Sequence, residues 1–410
     1  MQEWKPDRLS VISWINYDLA NTIFALGVSG LYFAEWLTKN GTSDIALSGT
    51  IAMSMAVVII LSPWIGARSD AAPQRVRFLI PTTLMAVVAT FFLASVGITG
   101  SLIIYAFALI GFNLGSVVYD SLLPDVSTEE NRGRISGWGI GVGYVGSIIA
   151  VVAGGLLLDS YGYPTLFRTI AVLFLVFALP SFFFIRERPR DYRGGSPPGI
   201  TRSFAHLVKS WKQASRYDGV VSFLIGRFLY TDAINTLIGG FLTIFAINEL
   251  GFSDNRIQAL LTLAIAASIL GGIVGGWTTD RIGPKKVLNG ALYLWIITMS
   301  GGIVAAITDL HFLAWLVGVA GGFALGMTWA ADRVYMAVIS PPHLLGEFYG
   351  LYATVGRFAT LLGPLTWGFI VDGLGFSRSV AMGALIVFVV AARIVLKGVD
   401  DTKRIWKNKR

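Results

Sequence analysis

Residues Trp14–Phe24, WINYDLANTIF, place one carboxylate and two carboxamides inside a stretch that is otherwise apolar and aromatic. Between Leu9 and Leu37 the only other charged residue is Glu35. The spacing of Asp18 and Asn21 puts both polar groups on one face of a helix. Because an aspartate near the bilayer centre costs roughly 2.5–3.5 kcal/mol on insertion scales, this face is predicted to contact protein or water and not lipid.

The same polar pattern returns in the second half of the chain, where Asp-x-x-Asn-Thr at 232–236 repeats Asp-x-x-Asn-Thr at 18–22, an offset of 214 residues. Glycines and aspartates in other segments recur at nearly the same distance: Gly66 and Asp70 with Gly276 and Asp280, then Gly133 and Gly137 with Gly346 and Gly350. These independent matches at one spacing predict two homologous halves.

The composition is that of an integral membrane protein. The chain has 410 residues, of which 54% are hydrophobic and only 14% are charged, too few charges for a soluble protein of this size. A membrane-spanning helix needs about 20 apolar residues. Such runs predict twelve spans, near residues 10–37, 46–67, 78–98, 101–123, 135–157, 165–185, 219–248, 256–279, 286–308, 312–338, 347–372 and 377–396.

The basic residues are distributed unevenly between the two sets of predicted loops. Of the 32 Lys and Arg residues, 24 fall in one set of loops and termini and four in the opposite set. The other four, Arg227, Arg333, Arg357 and Arg393, lie within spans. By the positive-inside rule, both termini are predicted to be cytoplasmic. A nucleic-acid partner is therefore not needed to explain the net charge of +8.

Two predicted cytoplasmic turns are related to each other and carry the first family resemblance. Residues 66–70 read GARSD, and the later turn at 276–286 reads GWTTDRIGPKK. The later turn resembles G-x-x-x-D-R-x-G-R-R, the hallmark of the major facilitator superfamily. The resemblance implies an all-α integral membrane fold of twelve transmembrane helices, arranged as two pseudo-symmetric six-helix bundles. The alternative is an ordinary basic cytoplasmic turn.

We predict a gating role near the cytoplasmic helix ends for six residues: Asp70, Arg75, Asp120, Asp125, Asp280 and Arg281. The resemblance implies that Asp70 lies near the start of span 11 and Asp280 near the start of span 5. The repeat also sets Arg333 opposite Asp120, so these opposite charges are expected to pair across the halves. The alternative is that both are solvated helix ends.

The chain is predicted to divide into four parts. Residues 1–186 form an N-terminal six-helix bundle, 187–218 a cytoplasmic linker, 219–396 a C-terminal six-helix bundle, and 397–410 a basic tail. In the linker, Phe204, Leu207, Val208 and Trp211 mark one face of a short amphipathic helix, which suits a position at the membrane interface.

Longer phrases in both halves carry a second, narrower resemblance. In the first half they are YD at 17–18 and ANT at 20–22 in span 1, then LPD at 123–125 and RGRISG at 132–137 before span 5. In the second half they are LY at 229–230 and Asp232 in span 7, then EFYGLY at 347–352 and GP at 363–364 in span 11. These phrases are similar to bacterial relatives of the autophagy-related vacuolar effluxers, a branch of the major facilitators. That family is associated with exporting amino acids from a vacuole.

In this architecture, the resemblance implies that spans 1, 4, 7 and 10 line a central cavity. The predicted substrate-binding or coupling residues are Tyr17, Asp18, Asn21, Asn113, Arg227, Tyr230, Asp232, Asn235, Arg333 and Arg357. Carboxylates together with an arginine suit a zwitterion. The alternative is that Arg227 and Asp232 neutralise each other or a neighbour. Asp18 and Asp232 are candidates to carry a proton during transport.

The sequence therefore predicts a secondary transporter that moves a small polar or zwitterionic solute, with an amino-acid-like solute favoured, across the inner membrane by alternating access. An exporter of amphipathic or lipid-like compounds and a non-transporting scaffold stay open as alternatives. An enzyme is not expected, because His206, His311 and His343 lie in loops or at interfaces. We expect a monomer whose partners are its solute, membrane lipids and protons, with no cofactor, no metal and no nucleic acid.

Overall fold

The computed structural model describes residues 6–128, 132–188, 200–341 and 344–401. Within these ranges every regular element is a helix, and there is no β-strand. Helices satisfy backbone N–H and C=O groups within one segment, which is what a chain requires where no water is available.

Helices are present at all twelve predicted spans. In chain order they are Arg8–Phe24 with Phe33–Lys39 for span 1, Asp44–Ala71, Val76–Phe92, Ile98–Ser121, Arg132–Phe184 for spans 5 and 6 together, Val220–Thr236 with Leu242–Asn248 for span 7, Asp254–Ile282, Pro284–Thr308, His311–Ile339, Leu345–Phe358 with Leu362–Gly368 for span 11, and Arg378–Leu396. Eight helical segments of the described chain are long and apolar enough to cross a membrane, with spans 5 and 6 counted as one. Span 3 is shorter, and spans 1 and 11 are interrupted.

The boundary between spans 5 and 6 lies at a glycine. Gly162 has φ 73° and ψ 176° inside the continuous helical run. A side chain at this positive φ would be strained, so glycine permits a sharp change of direction here. Pro164 follows two residues later, where its fixed φ and missing N–H suit the start of a new helix.

The chain forms two compact units. The first contains residues 1–204 together with Ile238–Ile244, and the second contains 205–237 and 245–410. The outer part of span 7 is thus grouped with the first unit. There Thr243 donates its hydroxyl hydrogen to the Gly30 carbonyl at 2.8 Å.

Spans 1 and 7 are interrupted at equivalent places. Span 1 has a π-helical segment at Ala25–Tyr32, and span 7 has a kink within Leu237–Phe241, where Gly239 and Gly240 have non-helical φ and ψ. Gly240 has φ 114°, and a Cβ there would lie 2.9 Å from the Ser29 carbonyl oxygen. The repeat seen in the sequence therefore extends to the irregular backbone, and π-helical segments are frequent at functional sites.

Small residues bring spans 8 and 10 together in the second unit. A Cβ at Gly271 would collide with the Phe323 backbone, and Cβ atoms at Gly322 and Gly326 would collide with the backbone of span 8. Gly275 also faces span 10, whereas Gly276 faces open space. Small residues such as Gly271 and Gly275 permit this close approach where lipid gives no hydrophobic drive between helices.

The predicted amphipathic helix of the linker is present as Ile200–Ala214. Val208 is 53% exposed and Trp211 is 37% exposed. The side chains of Phe204 and Leu207 lie outside the described residues. Large apolar side chains left open in this way suit a helix lying at a membrane surface.

Candidate functional site

In the first unit, aromatic side chains fix the orientation of span 1. The Trp14 and Tyr17 rings stack on Tyr119 of span 4 at centroid distances of 4.6 and 4.9 Å. The Tyr17 hydroxyl lies 2.6 Å from the Thr83 hydroxyl, within hydrogen-bonding distance. Asn113 donates its side-chain amide hydrogen to a carbonyl of its own helix at 2.9 Å. Tyr17 and Asn113, both predicted site residues, thus have partners within this unit.

The neighbouring face of span 1 carries Asp18 against the glycines of span 5. A Cβ at Gly143 would lie 3.0 Å from both Asp18 Oδ2 and Thr22 Oγ1, and a Cβ at Gly139 would lie 3.5 Å from Asp18 Oδ2. Span 5 therefore leaves open the space that the carboxylate occupies. Asn21 is buried, and its Oδ1 has no hydrogen-bond partner among the described residues.

In the second unit, four buried side chains form a charged cluster. Arg227 Nε lies 3.3 Å from Asp332 Oδ2. Tyr230 and Tyr352 donate their hydroxyl hydrogens to the Asp332 carboxylate at 3.3 and 2.7 Å. The Arg227 guanidinium carbon lies 3.7 Å from the centre of the Tyr352 ring. Asp332 has no exposed surface, so its charge depends on these partners.

The Arg227 guanidinium is not fully satisfied by this cluster. Its Nη1 is buried and has no hydrogen-bond partner in the described part of the chain. The same nitrogen faces Gly356 of span 11, where a Cβ would collide with it. By the repeat, Gly356 is equivalent to Gly143, so the same glycine position accommodates a polar side chain in each half.

Asp232 and Asn235 of the repeated motif contact a break in span 11. The helix stops at Phe358 and starts again at Leu362. Asp232 Oδ2 accepts the Gly363 N–H at 2.7 Å, and Asn235 donates its amide hydrogen to the Ala359 carbonyl at 2.9 Å. Backbone groups freed by the break are thereby satisfied. Asp232 Oδ1, also buried, has no partner in the ranges described.

The break coincides with a difference in length between the repeats. Gly146 of span 5 packs on the backbone of span 1, and Gly363 of span 11 packs on the Thr236 side chain and the Asp232 carbonyl of span 7. From Gly143 to Gly146 the chain advances three residues, whereas from Gly356 to Gly363 it advances seven. The additional four residues, about one helical turn, are where span 11 is interrupted.

The charged cluster occurs in one half of the repeat only. At the offsets of 213 and 214, Arg227, Asp332 and Tyr352 correspond to Ser13, Tyr119 and Gly139. Sequence reasoning did not select Tyr352, because its role depends on a contact with spans 7 and 10 that no local pattern reports. Asp332 could have been predicted as a site residue, because it is a carboxylate in an apolar span.

The predicted gating residues have varied surroundings. Arg75 contacts Asp125 at 3.2 Å and donates to the Ser121 carbonyl, so these two predicted residues form one partly buried network at the ends of spans 3 and 4. Asp120, Asp280 and Arg281 are exposed. The Asp70 side chain lies outside the described residues, and the gating roles stay predictions.

Two further predicted site residues lie away from the charged cluster. Arg333 is exposed, although it follows Asp332 directly, and its carbonyl accepts the Tyr349 hydroxyl hydrogen at 2.8 Å. Arg357 is half-buried next to the break in span 11. Their predicted roles in substrate binding stay predictions.

Known proteins share both the sequence pattern and the fold of this chain. Residues 31–408 match the family described as vacuole effluxer Atg22 like. An uncharacterised MFS-type transporter of Bacillus subtilis, YxiO, is 26% identical, with 95% of each chain covered. Multidrug resistance protein MdtG of Salmonella arizonae is 28% identical over 96% of this chain and 93% of its own length. The crystal structure of a bacterial homologue of the lysosomal transporter Spinster superposes with a TM-score of 0.69 at 17% identity, covering 95% of this chain and 94% of that one.

Twelve helical spans in two related halves, with charges buried inside them, define a secondary transporter of the major facilitator type. Within that class, the chain belongs to the vacuole effluxer Atg22-like family. The predictions of the fold class, of an integral membrane protein and of a transporter that is not an enzyme are confirmed. Transporters of this type bind small-molecule substrates, and efflux agrees with the MdtG relatives.

Proposed function

We propose that the protein moves a small zwitterionic solute, amino-acid-like in its charged groups, by alternating access. One observation carries this proposal. Span 7 holds a buried guanidinium nitrogen and a buried carboxylate oxygen, Arg227 Nη1 and Asp232 Oδ1, and neither has a partner among the described residues. A zwitterion presents the two complementary groups, a carboxylate for the arginine and an ammonium for the aspartate.

The two groups belong to one helix, on which Arg227 and Asp232 are five positions apart, about 7.5 Å along the helix axis at roughly 1.5 Å per residue. Leaving both groups unsatisfied costs free energy of about 1–3 kcal/mol each, so a ligand that satisfies both gains affinity.

The proposal includes proton coupling through Asp232. The Asp232 carboxylate can be ionised or protonated. Its Oδ2 accepts the Gly363 N–H, and its Oδ1, which has no hydrogen-bond partner among the described residues, is the atom that takes the proton. Protonation weakens a charge-assisted bond to the backbone of span 11, and this links proton binding to the break in that span. If Asp232→Asn transports with the same dependence on an imposed pH gradient as the native protein, Asp232 does not couple. Asp18→Asn tests the equivalent carboxylate.

We further propose a monomer in a bacterial inner membrane with both termini in the cytoplasm and no nucleic-acid partner. The uneven distribution of Lys and Arg and the bacterial relatives support this. Since the chain has no cysteine, one introduced thiol reports its own side of the membrane. Asn408→Cys should react with a membrane-impermeant maleimide only after permeabilisation of whole cells, and labelling of intact cells would contradict this topology.

Counterflow in proteoliposomes tests the transport proposal directly. Vesicles loaded with individual amino acids, nucleosides, sugars or amphipathic cations are offered labelled solute of the same class. We expect amino acids to exchange, Arg227→Gln to raise the half-saturating concentration of that exchange, and Lys286→Gln, an exposed cation outside the cluster, to leave it unchanged. Exchange of amphipathic cations alone would identify an exporter of amphipathic compounds, and an absence of all exchange would favour a scaffold.

A further inference from the structure

A basic groove lies at one end of spans 9 and 12 in the second unit, and none of its lining residues belongs to the charged cluster of spans 7, 10 and 11. The groove has a volume of about 490 Å³. Three of its lining side chains are cations, Lys285, Arg393 and Lys397, and none is a carboxylate. By the charge asymmetry of the loops, this end is the cytoplasmic one.

Local contacts hold the cations of the groove in place. The Arg393 guanidinium carbon lies 3.3 Å from the centre of the Tyr293 ring, and Arg393 Nε is buried with no hydrogen-bond partner in the described chain. Lys285 donates from Nζ to the Lys397 carbonyl at 3.1 Å, which joins the start of span 9 to the end of span 12. Asp401 accepts the Lys285 backbone N–H at 3.1 Å, so its carboxylate is used at the helix start.

Apolar side chains continue from the groove along the outer surface of both spans. Tyr293 and Ile297 on span 9 are 53% and 62% exposed, and Val390 and Ile394 on span 12 are 37% and 69% exposed. Exposed apolar surface on a membrane span faces acyl chains. The groove is therefore open to the same region of the membrane that its apolar edge contacts.

We propose that this groove binds an anionic phospholipid of the cytoplasmic leaflet. The lipid phosphate meets Lys285, Arg393 and Lys397, with Arg393 Nε as one donor, and an acyl chain follows Val390 and Ile394. Charge complementarity and the apolar continuation together select a lipid over a free anion, because a soluble phosphate gains nothing from the apolar edge. Basic pockets between transmembrane helices on the cytoplasmic side bind such headgroups in other membrane proteins.

The test measures thermal protection of the purified full-length protein by added lipid. Phosphatidylglycerol is compared with phosphatidylcholine and with inorganic phosphate, at about 0.5 M salt, where diffuse attraction is screened beyond a few ångströms. We expect phosphatidylglycerol to protect most. Its half-saturating concentration should rise about 5-fold for Lys285→Gln or Arg393→Gln, as expected for one cation near the membrane surface. Lys286→Gln removes the same charge from an exposed neighbour outside the groove and should leave protection unchanged.

Three results would overturn the proposal: equal protection by the two lipids, equal loss in Lys286→Gln and in the groove variants, or full protection by inorganic phosphate. Where a variant does not fold, photolabelling of the native protein tests the site instead. A photoactivatable phosphatidylglycerol should label peptides covering 284–297 and 387–397, and labelling confined to other peptides would refute the site. This proposal is independent of the transported solute.

Discussion

Replacing Asp332 by Asn would remove the carboxylate that lies against Arg227. The Arg227 side chain is 7% exposed and the Asp332 side chain 0%. An arginine does not lose its proton in a protein, so Asp332→Asn leaves a full positive charge buried without a counter-ion. Arg227→Gln is expected to cost less, because Asp332 keeps the hydroxyl donors of Tyr230 and Tyr352 and can take up a proton.

The magnitude follows from the burial of the pair. Removing one partner of a buried ion pair costs about 3–5 kcal/mol, whereas replacing both by apolar residues of similar volume is often neutral or stabilising. The second unit has roughly 200 residues, for which 1 kcal/mol lowers the melting temperature by about 2–4 °C. Asp332→Asn is therefore expected to lower it by about 6 °C or more, and Arg227→Met with Asp332→Leu to recover most of that loss.

Thermal unfolding of the purified protein in detergent, followed by tryptophan fluorescence, compares the native protein with Asp332→Asn, Arg227→Gln and the double apolar variant. Asp280→Asn is the matched control, because it removes an exposed carboxylate and should change stability by less than about 0.5 kcal/mol. A melting temperature of Asp332→Asn equal to that of the native protein would contradict the dependence of Arg227 on this counter-ion. A double apolar variant as unstable as Asp332→Asn alone would contradict it too.

Three further predictions concern the glycines and the break in span 11. Gly356→Ala should displace the Arg227 guanidinium and raise the KM for solute several-fold, and unaltered counterflow kinetics would contradict the collision. Gly162→Ala should destabilise the first unit by about 1 kcal/mol or more in thermal scans, because alanine is strained at positive φ, and an unchanged melting temperature would oppose this. Asn235→Ala should lower the free energy of unfolding by about 1–3 kcal/mol, because it leaves the Ala359 carbonyl unpaired. Amide hydrogen exchange should accelerate around residue 359, and unchanged exchange there would refute the role of Asn235 at the break.

The two-halved fold could be predicted because it leaves a repeated polar pattern. Asp18 and Asp232 stand at one offset with their Asn and Thr companions, and the structure extends the equivalence to the interruptions of spans 1 and 7. The four additional residues before Gly363 are also visible in the sequence. Whether span 11 loops out or breaks at these residues depends on its contacts with Asp232 and Asn235 of span 7. No local sequence pattern predicts those contacts.

The partner of Arg227 could not be predicted for the same reason. The sequence left open whether Arg227 binds solute or is neutralised by Asp232 or another neighbour. In the structure its counter-ion is Asp332, 105 residues away, while Asp232 contacts span 11. Pairing between helices is set by packing, and buried groups of opposite charge within one span need not meet.

Competition in counterflow by three analogues of one transported amino acid tests the central proposal most directly. The analogues are the zwitterion, the amine without its carboxylate, and the acid without its amine. The account predicts that the native protein prefers the zwitterion, that Arg227→Gln no longer discriminates against the amine, and that Asp232→Asn no longer discriminates against the acid. Retention of the native order of preference by both variants would contradict the assignment of these two residues to the solute.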